Sequence, residues 1–213
     1  MSETTSLTRR MLLTTTLVGL ALSATRLRAE SADETQRLLS EVRKSFTLRG
    51  KPVPPEIFRD FGDGNLADSG SIWTSVDLDA AVGSNQYADA IRQNGAWLAQ
   101  GRAAAGGKEA EETAYRYIGA TTNGLLVAIA TYSGGGTGVF TTLHILDLAA
   151  ARAFDDDGEV VKRLTLTNLR SVALGDRWDG VATIVGNEIR ITTTRGGPTE
   201  GPRASKIIQA RRP

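Results

Sequence analysis

The stretch SGGGTGVF, Ser133–Phe140, is the first candidate for chemistry, because glycines let backbone N–H groups close around an anion. A Walker-type loop needs Lys-Ser/Thr after its last glycine, and no Lys occurs here. A dinucleotide loop needs a third glycine where Val139 stands. Both need a helix to follow, with free N–H groups at its start. Val139, Phe140, Thr141 and Thr142 favour a strand instead. The stretch is expected to be the bend of a hairpin, with a tip around Gly135 that a ligand can approach closely.

His144 is the only histidine, so a Ser-His-Asp relay would have to use it. It stands between Leu143 and Ile145, and a meander pairing places it beside Val127 on an apolar face. No Gly-x-Ser-x-Gly elbow supplies a nucleophile. The expectation is a hydrogen-bonded sheet histidine, and no catalytic residue is assigned. One His and no Cys argue against a catalytic zinc, and neither a metal site nor a cofactor is assigned.

Among the acids, Asp155–Glu159 (DDDGE) invites a calcium reading. An EF-hand loop would need acids where Ala153 and Leu164 stand, so a solvated turn is expected. Asp77-x-Asp79 is a pattern that holds a metal against a sugar-nucleotide in some transferases, but two acids in three residues arise often by chance, and a helix cap at Asp79 explains that residue as well. The Asp60–Gly62 triplet DFG lacks every other kinase element. A carboxylate pair for glycoside hydrolysis depends on a separation in space, so that reading stays open as an alternative. Arg177, Trp178 and Asp179 form the most ligand-like set, with a stacking face beside directed hydrogen-bonding groups. Asn85 and Tyr87 are of similar type, and the ligand they suit is small, such as a glycan. The competing account puts Trp178 in the core and makes Arg177 and Asp179 a local ion pair.

These residues need elements to hold them. Ser31 and Glu34 fit a capping box, and Leu38, Leu39, Val42 and Phe46 then fall on one helical stripe. Pro55 suits the first turn of a short helix over PEIFRDF. SIWTSVDL alternates as a strand, with Ile72, Thr74, Val76 and Leu78 on one face. A short helix is predicted over 84–95, stopped by Asn94-Gly95. Trp97 and Leu98 begin a strand, and residues 101–113 read as a surface loop.

From Tyr115 onward the pattern is β. Asn123-Gly124 marks a two-residue hairpin turn, which pairs Ile118 with Ile129 and Tyr117 with Ala130. Ile118, Val127 and Ile129 then share one face, and Tyr115, Tyr117 and Tyr132 the other. Gly186-Asn187 marks a second such turn, with Ala182, Ile184, Ile189 and Ile191 on one face. VFTTLHILDL, VVKRLTLTNL and SKIIQA complete the set. The fold class is mainly β: an antiparallel sandwich or partly closed barrel of about seven or more strands with an N-terminal helix, alternatively labelled α+β.

The chain has 213 residues, 40% hydrophobic and 23% charged, which suits a globular domain with a real core. Arg9 and Arg10 precede a mild apolar segment, Met11–Ala24, too short to span a bilayer comfortably. TRRMLL resembles a twin-arginine export signal, although Leu12 and Leu13 replace the frequent Phe and following Lys. The resemblance implies a signal peptide over 1–29, cleavage near Ala29, and one domain over 30–213 in the periplasm or outside. The export machinery is then a partner through the signal, and no stable membrane span remains after cleavage. Without residues 1–29, 25 basic residues become 21 and 24 acidic become 23, so the net charge moves from +1 to −2. That balance gives no footprint for nucleic acid. GKPVPPEIF, VDLDAAVGSNQY, SGGGTGVF and LGDRWDG resemble segments of uncharacterised small exported bacterial proteins, a group that implies a placement and no activity. The expected function is a non-catalytic binding or envelope-associated module. The alternatives are a carboxylate hydrolase acting on envelope glycans and an accessory protein for another exported protein.

Overall fold

The computed structural model describes residues 32–61, 74–83, 90–102, 111–154, 157–193 and 205–213. The stretch with Arg9 and Arg10, the cleavage region, the Ser31 cap, and the ligand candidates Asn85 and Tyr87 lie outside these residues. The chain divides into two units between Leu38 and Leu39. The described part of the first, residues 32–38, opens helix α1 (residues 32–45) and carries an Arg37–Glu34 ion pair at 4.0 Å.

The second unit is mainly β. In chain order its elements are β1 (Thr47–Leu48), β2 (Lys51–Pro52), α2 (Ile57–Asp60), β3 (Thr74–Asp77), α3 (Leu78–Val82), β4 (Arg92–Asn94) and β5 (Trp97–Arg102). Then follow β6 (Glu111–Ala120), β7 (Leu126–Ser133), β8 (Phe140–Phe154), β9 (Val160–Asp176), β10 (Val181–Val185), β11 (Glu188–Thr192) and β12 (Ser205–Gln209). A seven-stranded antiparallel sheet runs β3-β9-β8-β7-β6-β5-β4, a three-stranded sheet runs β10-β11-β12, and β1 pairs with β2. The large sheet is open: among the described residues its end strands β3 and β4 each pair on one side only.

Strand alternation gives the central strands two buried faces. On one, Val127, Ile129, Leu143, Ile145 and Val172 of the large sheet pack with Ala182, Ile189, Ile191 and Ile208 of the small sheet, forming an aliphatic core. The other face is aromatic. Phe46 stacks on Tyr117 at 5.0 Å and meets Tyr115 edge-on at 5.3 Å, while Phe58 lies 5.1 Å from both Tyr115 and His144. Tyr115 Oη donates to Val53 O at 2.9 Å and Tyr117 Oη to Arg43 O at 2.5 Å, so each ring fills apolar space while its hydroxyl stays satisfied.

The Gly186-Asn187 hairpin has the expected register, with Ile184 opposite Ile189 and Ala182 opposite Ile191. The Asn123-Gly124 hairpin differs. Its loop holds five residues, closed by Thr121 N to Leu125 O at 2.8 Å, and a bulge lies between Tyr117 and Gly119. Arg116 therefore stands opposite Ile129, and Tyr117 opposite Ala128. Away from the bulge the register has moved by two residues, which returns each side chain to its expected face. The helix predicted through 95 is also corrected: residues 92–94 are strand β4, paired with β5, because Gly95 at φ 59 reverses the chain as a hairpin. Leu78 does not continue β3, since the Asp77 carboxylate accepts from Ala80 N at 3.1 Å and starts α3 there.

Candidate functional site

The glycine stretch is the bend between β7 and β8, with Tyr132 opposite Phe140 and a strand, not a helix, after it. Two residues at the end of β9 hold it. Asp176 Oδ1 accepts from Val139 N at 2.7 Å, and Arg177 N donates to Val139 O at 2.8 Å. The Arg177 guanidinium donates to Thr137 O and pairs with Asp176 at 3.1 Å. Gly135 has φ 83 and Arg177 has φ 46, so both residues sit where the chain turns sharply. The structure thus brings Gly135, Arg177, Trp178 and Asp179 to one end of the large sheet. Trp178 packs on the aliphatic core rather than standing free, and a Cβ on Gly180 would lie 2.4 Å from its ring. Asp179 is exposed.

His144 faces the aromatic side, opposite Ala128 on β7 rather than Val127, because paired residues share a face and Val127 faces the aliphatic core. It is only 2% exposed. Asn168 Nδ2 donates to Ser171 Oγ at 2.9 Å, and Ser171 Oγ lies 3.2 Å from His144 Nδ1. Ser171 Oγ and His144 Nδ1 share one hydrogen bond whose direction follows the tautomer of the ring. Burial lowers the His144 pKa to about 4, against a smaller opposing effect of the Asn168 hydrogen bond. The nucleophile and base types meet here, but under Phe58 and Phe61 and with the base too weak to take a proton efficiently at neutral pH.

The acids are mostly engaged. Asp79 pairs with Arg49 at 2.6 Å and accepts from Leu164 N at 3.1 Å, Asp77 pairs with Arg163 at 3.4 Å, and Glu112 pairs with Arg92 at 2.6 Å. Asp147 binds Arg212 through both oxygens, at 2.8 and 3.1 Å. These are locks between elements. Among the described residues no three His, Cys, Asp or Glu side chains cluster as metal ligands.

One concavity owes nothing to the sequence candidates. A groove of about 490 Å³ runs between Ile118–Thr122 at the end of β6 and Ala182–Gly186 along β10. β5 pairs with β6 only as far as Tyr115, and β10 is an edge of the small sheet, so two strand edges face the groove. Thr122 N donates to Gly186 O at 3.1 Å and ties one end. Gly119, at φ 142, holds a backbone conformation that side-chain-bearing residues rarely adopt, while a Cβ there would stand in ordinary contact, 3.5 Å from Ile184 Cδ1. The lining is Ile118 and Ile184 with Thr121, Thr122 and Thr183, and contains no ionisable side chain. β7 separates this groove from the Gly135–Arg177 end.

Comparison with protein-family models, with curated proteins and with solved structures finds no match.

Proposed function

We propose that the chain is an exported, non-catalytic binding module whose ligand, an uncharged extended molecule such as a glycan, lies between β6 and β10. The groove carries this reading. It combines apolar walls, threonine hydroxyls and two strand edges with no charge, which is the chemistry that receives hydroxyl-rich neutral ligands. Its walls are strands of two packed sheets, so the site needs little ordering on binding. The buried His144 and the arginine-bound carboxylates support a structural role for the groups that would otherwise suggest catalysis.

The test is thermal shift of the full chain with a panel of neutral oligosaccharides. A binder raises Tm by mass action. Thr183→Trp, at an exposed position on the groove wall, is expected to leave the unliganded Tm unchanged and to remove the shift. If no oligosaccharide moves Tm, or if the shift survives in Thr183→Trp, the reading fails.

A further inference from the structure

The β8–β9 hairpin is far longer than its neighbours. β8 has 15 residues and β9 has 17, yet β7 accompanies β8 only to Leu146. Beyond that point, among the described residues, β8 pairs with β9 alone, and its other edge is open through Phe154. The β9 side is closed over the inner part of this arm. β3 pairs with residues 165–168, Asp79 takes the Leu164 N–H, and Asp77 pairs with Arg163. Over its inner part the arm therefore presents one strand edge, that of β8, while at the tip residues 160–163 of β9 also lack a second strand partner among the described residues.

The side chains beside that edge are distinctive. Ala149, Ala150 and Ala151 are exposed and small, leaving room for bulk opposite them. Phe154, 68% exposed, stands opposite Val160, 61% exposed, as an apolar rung at the tip. One rung inward, Arg152 stands directly opposite Lys162, both exposed. Like charges placed so destabilise a ribbon, and no hydrogen bond or ion pair joins either cation to a described carboxylate. Alternation places Phe154, Arg152 and Ala150 on one face at two-residue intervals.

We propose that the β8 edge receives an extended segment of a partner protein as an added strand, and that this segment carries an acidic residue flanked at two-residue spacing by apolar ones. The carboxylate lies against Arg152 and Lys162 and removes their repulsion. One apolar residue covers the Phe154–Val160 rung, and the other fills the space above Ala150. A second copy of the chain fits less well, because matching β8 edges through the centre of this face sets Arg152 against Arg152. This surface is independent of the groove and stands or falls separately.

The probe is a nine-residue synthetic peptide of threonines with Val at position 3, Glu at 5 and Val at 7, a pattern that reads alike in both strand directions. Fluorescence anisotropy with the full chain is expected to show binding that weakens at least about tenfold when Glu is replaced by Lys. Arg152→Glu together with Lys162→Glu should invert that preference, with an unchanged Tm showing that the arm still folds. Equal binding of the two peptides, no binding of either, or a preference that the double variant does not invert overturns the proposal. So does a dimer of the full chain, seen by sedimentation, that the double variant abolishes, for the edge would then belong to a second copy.

Discussion

His144 shows how one buried polar side chain ties stability to pH. Its pKa falls from 6.5 to about 4 because burial disfavours the charged ring. Between those values the unfolded chain holds a proton that the folded chain lacks, so stability rises with pH through that window and is lost as pH falls through it. The full effect is on the order of 3 kcal/mol, reached above about pH 6.5. Urea denaturation of the full chain between pH 4 and 8 should show the slope, and His144→Gln should flatten it whatever its own stability. A second expectation concerns Tyr115, whose ionisation burial pushes upward, so it stays a phenol and a donor across the working pH range. Tyr115→Phe strands the Val53 carbonyl and should cost about 1–2 kcal/mol by denaturant titration. Gly180→Ala should cost about 1–3 kcal/mol or more, since its Cβ would meet Thr192 O at 2.1 Å, and Trp178 emission should shift as the indole is displaced. His144 was legible as a sheet histidine, but its partner was not: residue 127 or 128 opposite it means opposite faces, and the bend between β7 and β8, which sets Tyr132 opposite Phe140, decided which.

At the scale of elements, turn chemistry was legible where the turn is minimal. Gly186-Asn187 fixes its hairpin because two residues leave no freedom in register. Asn123-Gly124 promised the same, but Thr121 folds back on Leu125 with both its backbone and its hydroxyl, lengthening the loop. Asn94-Gly95 fits a helix stop and a hairpin equally well, and only the pairing of residues 92–94 with β5 decides between them. The full reach of β8 and β9 was hidden, because a run of alanines carries no alternation. The groove was hidden for another reason. Its walls are strand edges more than sixty residues apart in sequence, and its side chains advertise no chemistry. Element-level anchoring gives a further prediction. Asp176→Ala removes the acceptor of Val139 N, and should speed amide exchange at the β7–β8 bend while changing global stability by less than about 1 kcal/mol.

At the scale of the whole molecule, export is the proposal to test. Changing Arg9 and Arg10 together to Lys should retain the protein in the cytoplasm, as read by fractionation, if TRRMLL serves as a twin-arginine signal. Undiminished export would remove that assignment and leave the binding proposals standing. The open sheet with its small partner sheet agrees with the sandwich-like, mainly β expectation, with no closed barrel among the described residues. The large sheet is buried on both sides over its central strands, so the molecule has two chemically different interiors. One is aliphatic under the small sheet, and the other is aromatic, with a histidine network, under the helical segments.

The clasp of Asp176 and Arg177 on Val139 and Thr137 bears on how the chain can be engineered. β8 is fastened to β9 at its first residues, so the registry of the sheet does not depend on a short covalent link from β7. Gly136, with nothing near the place a Cβ would take, lies outside that clasp. A guest sequence spliced between Gly135 and Gly136 should therefore be carried at little energetic cost, since each doubling of loop length adds only about 0.6 kcal/mol. The bend is a natural port for a reporter peptide, with the host fold left intact around it.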